Sequence, residues 1–570
     1  MAITVNQFPN FPTPAYNELL LVLSSTNSGQ AGFEYNISIQ PVLDDYSGLG
    51  DPINLRKSPD PNGYGVFDLS KITADFVDSD FNGMVDQFVN NSNTQKAFYY
   101  LITTTWNAGS EIGQGGLFTA FNGVINVEDW IAWDFDNAAF KLTMTSSQGF
   151  LTNYRDLQKS KLDECGFLYL QCAGISRLTG SEKITNGDFA TNLNNWTLDS
   201  AGDFTWVSGL ARSNTSSVTT QEYGIKQTLS LTTGKYYELS FDANLGKGSL
   251  SVNYGAAGDP EYIVLSTSTG KNYGQVKTIF KASALTTAVG FFFSPSVNGE
   301  FMTLDNVSVK EVEILPFSAE IKTYDASNTL INTFVLKNDN TYTKDGVTYE
   351  FGYDWMQYSQ NDQSRLNSWR IPAGAKNLNL IDNSILTTGS QPIVTSAVKY
   401  WEIKVKTSDG NLYGSYKGYL NTSCSKYKSF RLHWLNRLGG MDSFTFDMAS
   451  QEDINIERQF YNRLMSRDYA YNSTKSYGYT TREETQYHTQ YKTAYSVTSN
   501  WITEDESNML AEMMTSPNVF WEKDADNNKF IPINIKANSY RKQSKTANNT
   551  KVFNLEFQFE VSYNEKIQGR

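Results

Sequence analysis

Phe553-Asn554-Leu555-Glu556-Phe557-Gln558-Phe559-Glu560-Val561-Ser562-Tyr563 alternates large apolar and polar side chains without a break. Successive side chains of a strand point to opposite faces, so this stretch reads as one long strand with Phe553, Leu555, Phe557, Phe559 and Val561 buried and the polar set wet. The rest of the chain speaks the same language. Aromatic residues make up 14% of 570 residues, with 34 Tyr and 34 Phe, which suits strands better than helices. Asn, Ser, Thr and Gly break the sequence at short, regular intervals, as between the strands of sandwiches.

The expected class is therefore all-β, with several β-sandwich domains and a C-terminal β-rich domain containing one helix. Thr503-Glu504-Asp505-Glu506 is a capping box that opens that helix. Met509, Leu510, Met513 and Met514 form its apolar face, and Ser516-Pro517 ends it near residue 515. The expected division is 1–133 as a fibronectin-like sandwich, 134–181 plus 313–400 as a split sandwich, 182–312 as an insertion into it, and 401–570 as an assembly domain. A hairpin between the strands at Phe167 and Ala319 is expected once the insertion is taken out. Such an insertion is permitted because the closure cost of a loop grows slowly with its length.

The net charge of −13 and the sequence pI near 4.9 argue against a nucleic-acid surface, which needs clustered Lys and Arg. No stretch approaches 18 apolar residues, so no membrane-inserted helix is expected. The N-terminal Met1-Ala2-Ile3-Thr4-Val5-Asn6-Gln7-Phe8 lacks a basic region followed by an apolar run and does not read as a signal peptide. Cys165, Cys172 and Cys424 are too few for a disulfide framework and suit a reducing site of synthesis.

The inserted segment begins Ile184-Thr185-Asn186-Gly187-Asp188-Phe189, reaches Trp196-Thr197, passes through Thr233-Gly234-Lys235-Tyr236-Tyr237-Glu238-Leu239-Ser240-Phe241, and closes on Leu304-Asp305-Asn306-Val307-Ser308-Val309-Lys310. In this it resembles the jelly-roll carbohydrate-binding modules attached to xylanases and to many phage tail proteins. The resemblance implies a glycan ligand, a core role for Trp196 and a structural calcium ion. Sugar rings stack on aromatic faces while their hydroxyls find polar partners. The candidates are Trp206, Tyr223, Tyr254, Tyr262 and Tyr273, with Gln221, Asn253 and Arg212 beside them. For the calcium ion the resemblance implies Asp305 and a ligand near the start of the module. Ala190 stands where an acidic residue is frequent, which leaves Asp188 as the candidate there.

A second resemblance lies in His433-Trp434-Leu435-Asn436-Arg437-Leu438-Gly439-Gly440-Met441-Asp442-Ser443-Phe444-Thr445-Phe446, which is similar to a segment of virion structural proteins of phages infecting Bacteroidetes. Sandwich strands followed by one helix and a long final strand are likewise similar to tail-tube and distal-tail domains. This implies a tail or baseplate component of a tailed phage, made in the host cytoplasm and located in the virion. Its partners would be copies of itself, other virion proteins and a host surface glycan. The Tyr-rich polar stretch 475–495 has the composition of a subunit interface. Two alternatives stay open: a head-fibre or neck-ring component, and a secreted glycan-binding or polysaccharide-degrading protein.

Catalysis has little support in the sequence, and no enzyme is expected. There are only two histidines, His433 and His488, and His433 reads as structural. No Gly-x-Ser-x-Gly elbow with a workable triad, no His-Glu-x-x-His and no phosphate loop occurs. Asp78-Ser79-Asp80-Phe81-Asn82-Gly83 begins like a calcium-binding EF-hand loop, but its twelfth position is Val89 rather than Glu, so a turn is expected. Asp524-Ala525-Asp526-Asn527-Asn528 reads as a hairpin tip.

Overall fold

The computed structural model describes residues 3–7, 13–42, 51–77, 81, 89–90, 95–112, 116–125, 133–134, 139–140, 150–171, 176–214, 222–254, 262–269, 271–282, 286–314, 317–338, 341–344, 347–350, 368–422, 426–462, 482–536, 545–547, 550–563 and 565–566. The fold is nearly all β, in several packed sheets. Most of the EF-hand-like stretch, Cys172 and Cys424 fall outside the described residues.

The first unit packs a three-stranded sheet, Ile3–Gln7, Leu20–Ser25 and Tyr64–Asp68, against a larger one built on Glu34–Val42 and Gln95–Trp106. Tyr35, Ile37 and Ile39 from one strand meet Phe98, Tyr100 and Ile102 from its neighbour in the shared core. Alternate residues of each strand face that core, as the period of two requires.

The second unit faces a six-stranded sheet toward a three-stranded one. The larger runs Gln158–Ser160, Leu412–Leu420, Tyr400–Lys406, Ser318–Tyr324, Leu330–Lys337 and Leu386–Thr388. The smaller runs Phe167–Gln171, Ser368–Pro372 and Val89–Asn90. Two expectations are corrected here. The Phe167 and Ala319 strands do not form a hairpin: Leu168 lies opposite Ile371, and Ala319 lies opposite Val405 and Leu336. Phe167–Gln171 is apolar on both faces and is covered on both. Leu168 and Leu170 enter this core, while Phe167 and Tyr169 enter a second cluster with Leu435 and Met441. Nor does this unit stop at residue 400. Trp401, Ile403 and Val405 bury beside Ile321, so the strands through Leu420 belong to it.

The third unit is the insertion, a sandwich of two sheets in which Ser176 lies opposite Ile314 and Leu178 opposite Val312, so the chain enters and leaves side by side. Its base is tied to the second unit by Lys235 Nζ on Asp409 Oδ2 at 2.7 Å and by Asn411 Nδ2 on Glu313 Oε2 at 2.9 Å.

The final unit is an eight-stranded sheet ordered Met441–Phe446, Phe430–Leu435, Val519–Asp524, Lys529–Ile535, Glu556–Val561, Glu484–Thr498 and Ser450–Asn462, with Glu565–Lys566 beside Glu484–Thr498. The Glu504–Thr515 helix covers one face. Thr503 and Glu506 cap it reciprocally, the Glu506 amide donating to Thr503 Oγ1 at 3.2 Å and the Thr503 amide to Glu506 Oε2 at 2.9 Å. Met509, Leu510 and Met513 bury against Trp434, Trp521 and Phe557, and Met514 packs at their margin. Phe553, Leu555, Phe557, Phe559 and Val561 are all buried in that core, as their alternation requires. Asp524 and Lys529 close the expected hairpin between adjacent strands.

Candidate functional site

The five-stranded sheet of the insertion holds Thr197–Leu198, Tyr223–Ser230, Thr286–Pro295, Gly248–Asn253 and Tyr262–Thr267 in that order. Ile225, Val289, Phe291, Phe293, Leu250 and Val252 point inward and are buried. The alternate residues form the outer face. One row across it is Gly224, Phe292, Ser251 and Val264; the next holds Lys226, Gly290 and Asn253.

Phe292 is the aromatic centre of that face. A Cβ placed on Gly290 would lie 2.7 Å from its ring, and one on Gly224 would lie 2.9 Å from it. The ring therefore lies flat over two glycines and is half-buried, leaving its other face to solvent. Val264 beside it is 48% exposed. Lys226 Nζ is held 3.0 Å from Asp199 Oδ1, and Ser251 and Asn253 carry hydroxyl and amide groups on the same surface. A flat ring ringed by hydrogen-bonding groups is the chemistry that receives the apolar face of a pyranose.

The sequence-predicted residues scatter. Tyr223 and Tyr254 are 1% and 3% exposed and belong to the core, so neither offers a ring to a sugar. This corrects their candidacy, and the cause is burial: both lie on the inner side of the sandwich. Gln221 and the side chains of Tyr262 and Tyr273 lie outside the described residues. Trp206 is 43% exposed, with its indole N–H donated to the Phe189 carbonyl at 2.6 Å. Arg212 stacks its guanidinium 3.7 Å from the Phe301 ring centroid. Trp206 pairs with Ala211 and Arg212 with Thr205, which sends Trp206 and Arg212 to opposite faces of their hairpin. Trp196 is a core residue, its indole N–H donated to the Asn186 carbonyl at 3.0 Å. Sequence reading missed Phe292. The signal was present in Gly290-Phe291-Phe292-Phe293, because in a strand the middle ring of three must face away from its neighbours.

The calcium candidates are close in space. Burial raises the Asp305 carboxyl, the Asn306 amide N–H lowers it, and the charges of Asp242 and Asp188 raise it further. Asp242 lies opposite Asp305 in the sheet, and Asn306 Nδ2 donates to Asp242 Oδ2 at 2.7 Å. A donor thus sits where a cation would need an oxygen. A calcium ion takes about six to eight oxygens, and among the described residues no group of three or more His, Cys, Asp or Glu side chains is placed to hold a metal ion. The donor set described falls short of a calcium cage.

A second polar constellation lies inside the seam between the final sheet and Phe167–Gln171. Ser443 Oγ is 2.6 Å from His433 Nδ1, and Glu522 Oε2 is 2.7 Å from His433 Nε2. Burial depresses the His433 ring, although the bond to Glu522 opposes this, so the neutral ring accepts from Ser443 and donates to Glu522. Burial pushes the Glu522 carboxyl up, but His433, Arg431 and the Cys165 N–H outweigh it and hold the carboxyl low. A serine, histidine and glutamate in line would suit nucleophilic catalysis if a substrate could reach them. Here His433 is 0% exposed and boxed by Phe81, Phe167 and Phe530, so the three act as an internal tie.

Among the described residues no helix is long and apolar enough to cross a membrane. No protein-family model matches the chain. No curated protein matches it. Among solved structures, it is similar to a CBM4 module at 17% identity, over 22% of this chain and 99% of that one, with a TM-score of 0.18. The second N-terminal cellulose-binding domain of β-1,4-glucanase C from Cellulomonas fimi is similar at 17% identity, over 23% and 95% of the two chains, TM-score 0.19. The enzymatically active domain of tailspike protein 4 from bacteriophage CBA120 is similar at 18% identity, over 23% of this chain and 21% of that one, TM-score 0.18. At these scores no residue role passes from those proteins to this chain.

Proposed function

We propose that the chain is a non-catalytic structural component of a tailed-phage virion, in the tail or baseplate, that displays a glycan-binding module. The observation carrying the glycan reading is the Phe292 ring laid flat over Gly224 and Gly290 on an open sheet face, with Lys226, Asp199, Ser251 and Asn253 around it. Binding would be weak at one site and raised by copy number in a symmetric assembly, because linked sites gain about 10²–10⁴ in avidity. The assembly reading is supported by the other end of the molecule, where Ser450–Asn462 ends the eight-stranded sheet and is exposed along its length.

The test has two arms. The full-length protein is applied to an array of bacterial surface glycans beside Phe292→Ala, which should capture a set of those glycans more weakly while keeping its thermal transition. Purified particles are imaged by electron microscopy, where a ring or stalk carrying outward-facing insertions is expected. A monomer with no place in a particle, or glycan capture indifferent to Phe292, would overturn the reading.

A further inference from the structure

A cleft of about 1170 Å³ opens between the first unit and the final one, far larger than a gap between packed side chains. Its wall on the final unit is the polar stripe of the Glu504–Thr515 helix, Asn508, Ala511, Glu512 and Thr515, which lies on the side away from Met509, Leu510 and Met513. Residues spaced by three and four share a helix face, so this stripe meets the cleft as one surface. Glu512 Oε1 takes Arg437 Nε at 3.2 Å and the Tyr154 hydroxyl at 3.3 Å, which fixes a guanidinium and a phenol together at the floor. Tyr16, from the first unit, stands at the mouth with 52% of its surface exposed, its amide anchored on the Gly123 carbonyl at 3.2 Å. Asn508 and Asn518 bring amides that both donate and accept.

We propose that this cleft is a second saccharide site, separate from the sheet face of the insertion, and that it takes a short neutral oligosaccharide. Ring faces, paired charges and amides together match a ligand that is apolar on its C–H faces and polar at every edge. The chemistry disfavours other occupants. The Arg437–Glu512 pair leaves no net positive charge for a phosphate. The strand that reaches the wall, Phe430–Leu435, is paired on both sides and offers no free edge for an extended peptide to join. The polar stripe does not suit a lipid chain.

The test uses the full chain with cellohexaose, xylohexaose, maltohexaose and mannohexaose as probes, followed by saturation-transfer NMR and calorimetry. The Phe292→Ala background removes the sheet site, so failure of that site and failure of this one are read separately. Binding should persist in Phe292→Ala. Adding Tyr16→Ala should weaken it roughly two- to tenfold for the lost ring, and Asn508→Ala should weaken it through the lost amide. Amide exchange over Glu504–Thr515 should slow with sugar present. Residual binding that ignores both substitutions overturns the proposal, as does the absence of any binding in Phe292→Ala. So does helix protection that follows protein concentration rather than sugar, which would mark the cleft as a seat for a neighbouring polypeptide.

Discussion

Glu522 and His433 meet at 2.7 Å where neither side chain is reached by solvent, 3% and 0% exposed. They stand on neighbouring strands and face away from the tryptophan core, toward the Phe167–Gln171 sheet. The backbone N–H of Cys165 donates to Glu522 at 3.1 Å, and Arg431 reaches across to the Cys165 and Lys159 carbonyls. The final unit is thus held to the second by hydrogen bonds that run through charged groups, not by apolar contact alone.

His433→Ala should cost about 1.5–3 kcal/mol, because it takes a ring N–H away from the buried Glu522 carboxylate. Glu522→Gln, whose single amide oxygen can still accept from His433, should cost less. Cys165 supplies the readout. Its thiol is buried and its pKa is pushed well up by burial and by Glu522. It should resist thiol reagents in the native protein and react much faster in His433→Ala. Equal labelling rates in the two would show that the seam stays shut without the pair.

Asp442 gives the seam a pH dependence. Burial pushes its carboxyl up to about 7; bonds from Thr152, Asn436 and Gln158 oppose this and the charge of Glu512 adds to it. A carboxyl raised in the folded state keeps a proton there that the unfolded chain has lost. Stability therefore falls as pH rises from about 4 to about 7, by at most about 1.4 kcal/mol per unit. His433, depressed in the fold, acts in the opposite sense below its ordinary value. Comparison of thermal midpoints with Asp442→Asn isolates the Asp442 contribution: the wild-type protein should lose ground to the variant across that window. Parallel curves would show that Asp442 is ionised throughout.

Alternation carried most of what could be read beforehand. Phe553 to Val561 and the Thr503 helix needed only their local pattern, since one buried face defines a strand and a cap with an apolar stripe defines a helix. Pairing was less legible. Phe167–Gln171 is apolar on both faces, and such a strand has no sequence mark for which neighbour it takes; Ser368–Pro372 lies about 200 residues away. The ligand candidates failed for a related reason. Tyr223 and Tyr254 were picked for residue type, whereas the side of the sandwich they occupy decides their exposure. Phe292 was legible only once Phe291 and Phe293 were known to face inward.

Gly290→Ala tests whether the flatness of Phe292 matters. The new Cβ would come within 2.7 Å of the ring, too close unless the ring tilts off the sheet. The fold should survive, since the clash lies on the outer surface, but glycan capture should fall as it does in Phe292→Ala. A variant that captures glycans as the wild type does would move the site away from this face.

Ser450–Asn462 pairs with Glu484–Thr498 on one side, and among the described residues no strand joins its other side. Thirteen residues of strand edge, interrupted by one register shift between Gln459 and Phe460, form a template for another chain. Here Ile454 and Ile456 are 59% and 46% exposed, and they share a face with Tyr495, which is buried in the core. The apolar face of the sheet thus continues beyond the helix that covers it. Cover from a neighbouring copy, as in the proposed assembly, would account for both the edge and the exposed isoleucines. Ile454→Lys with Ile456→Lys should shift the protein from oligomer to monomer in light scattering after gel filtration, while the thermal transition of the monomer stays in place. Because the substituted side chains already stand in solvent, a loss of assembly could not be attributed to a damaged core. If the doubly substituted protein assembles as before, the edge is not the contact.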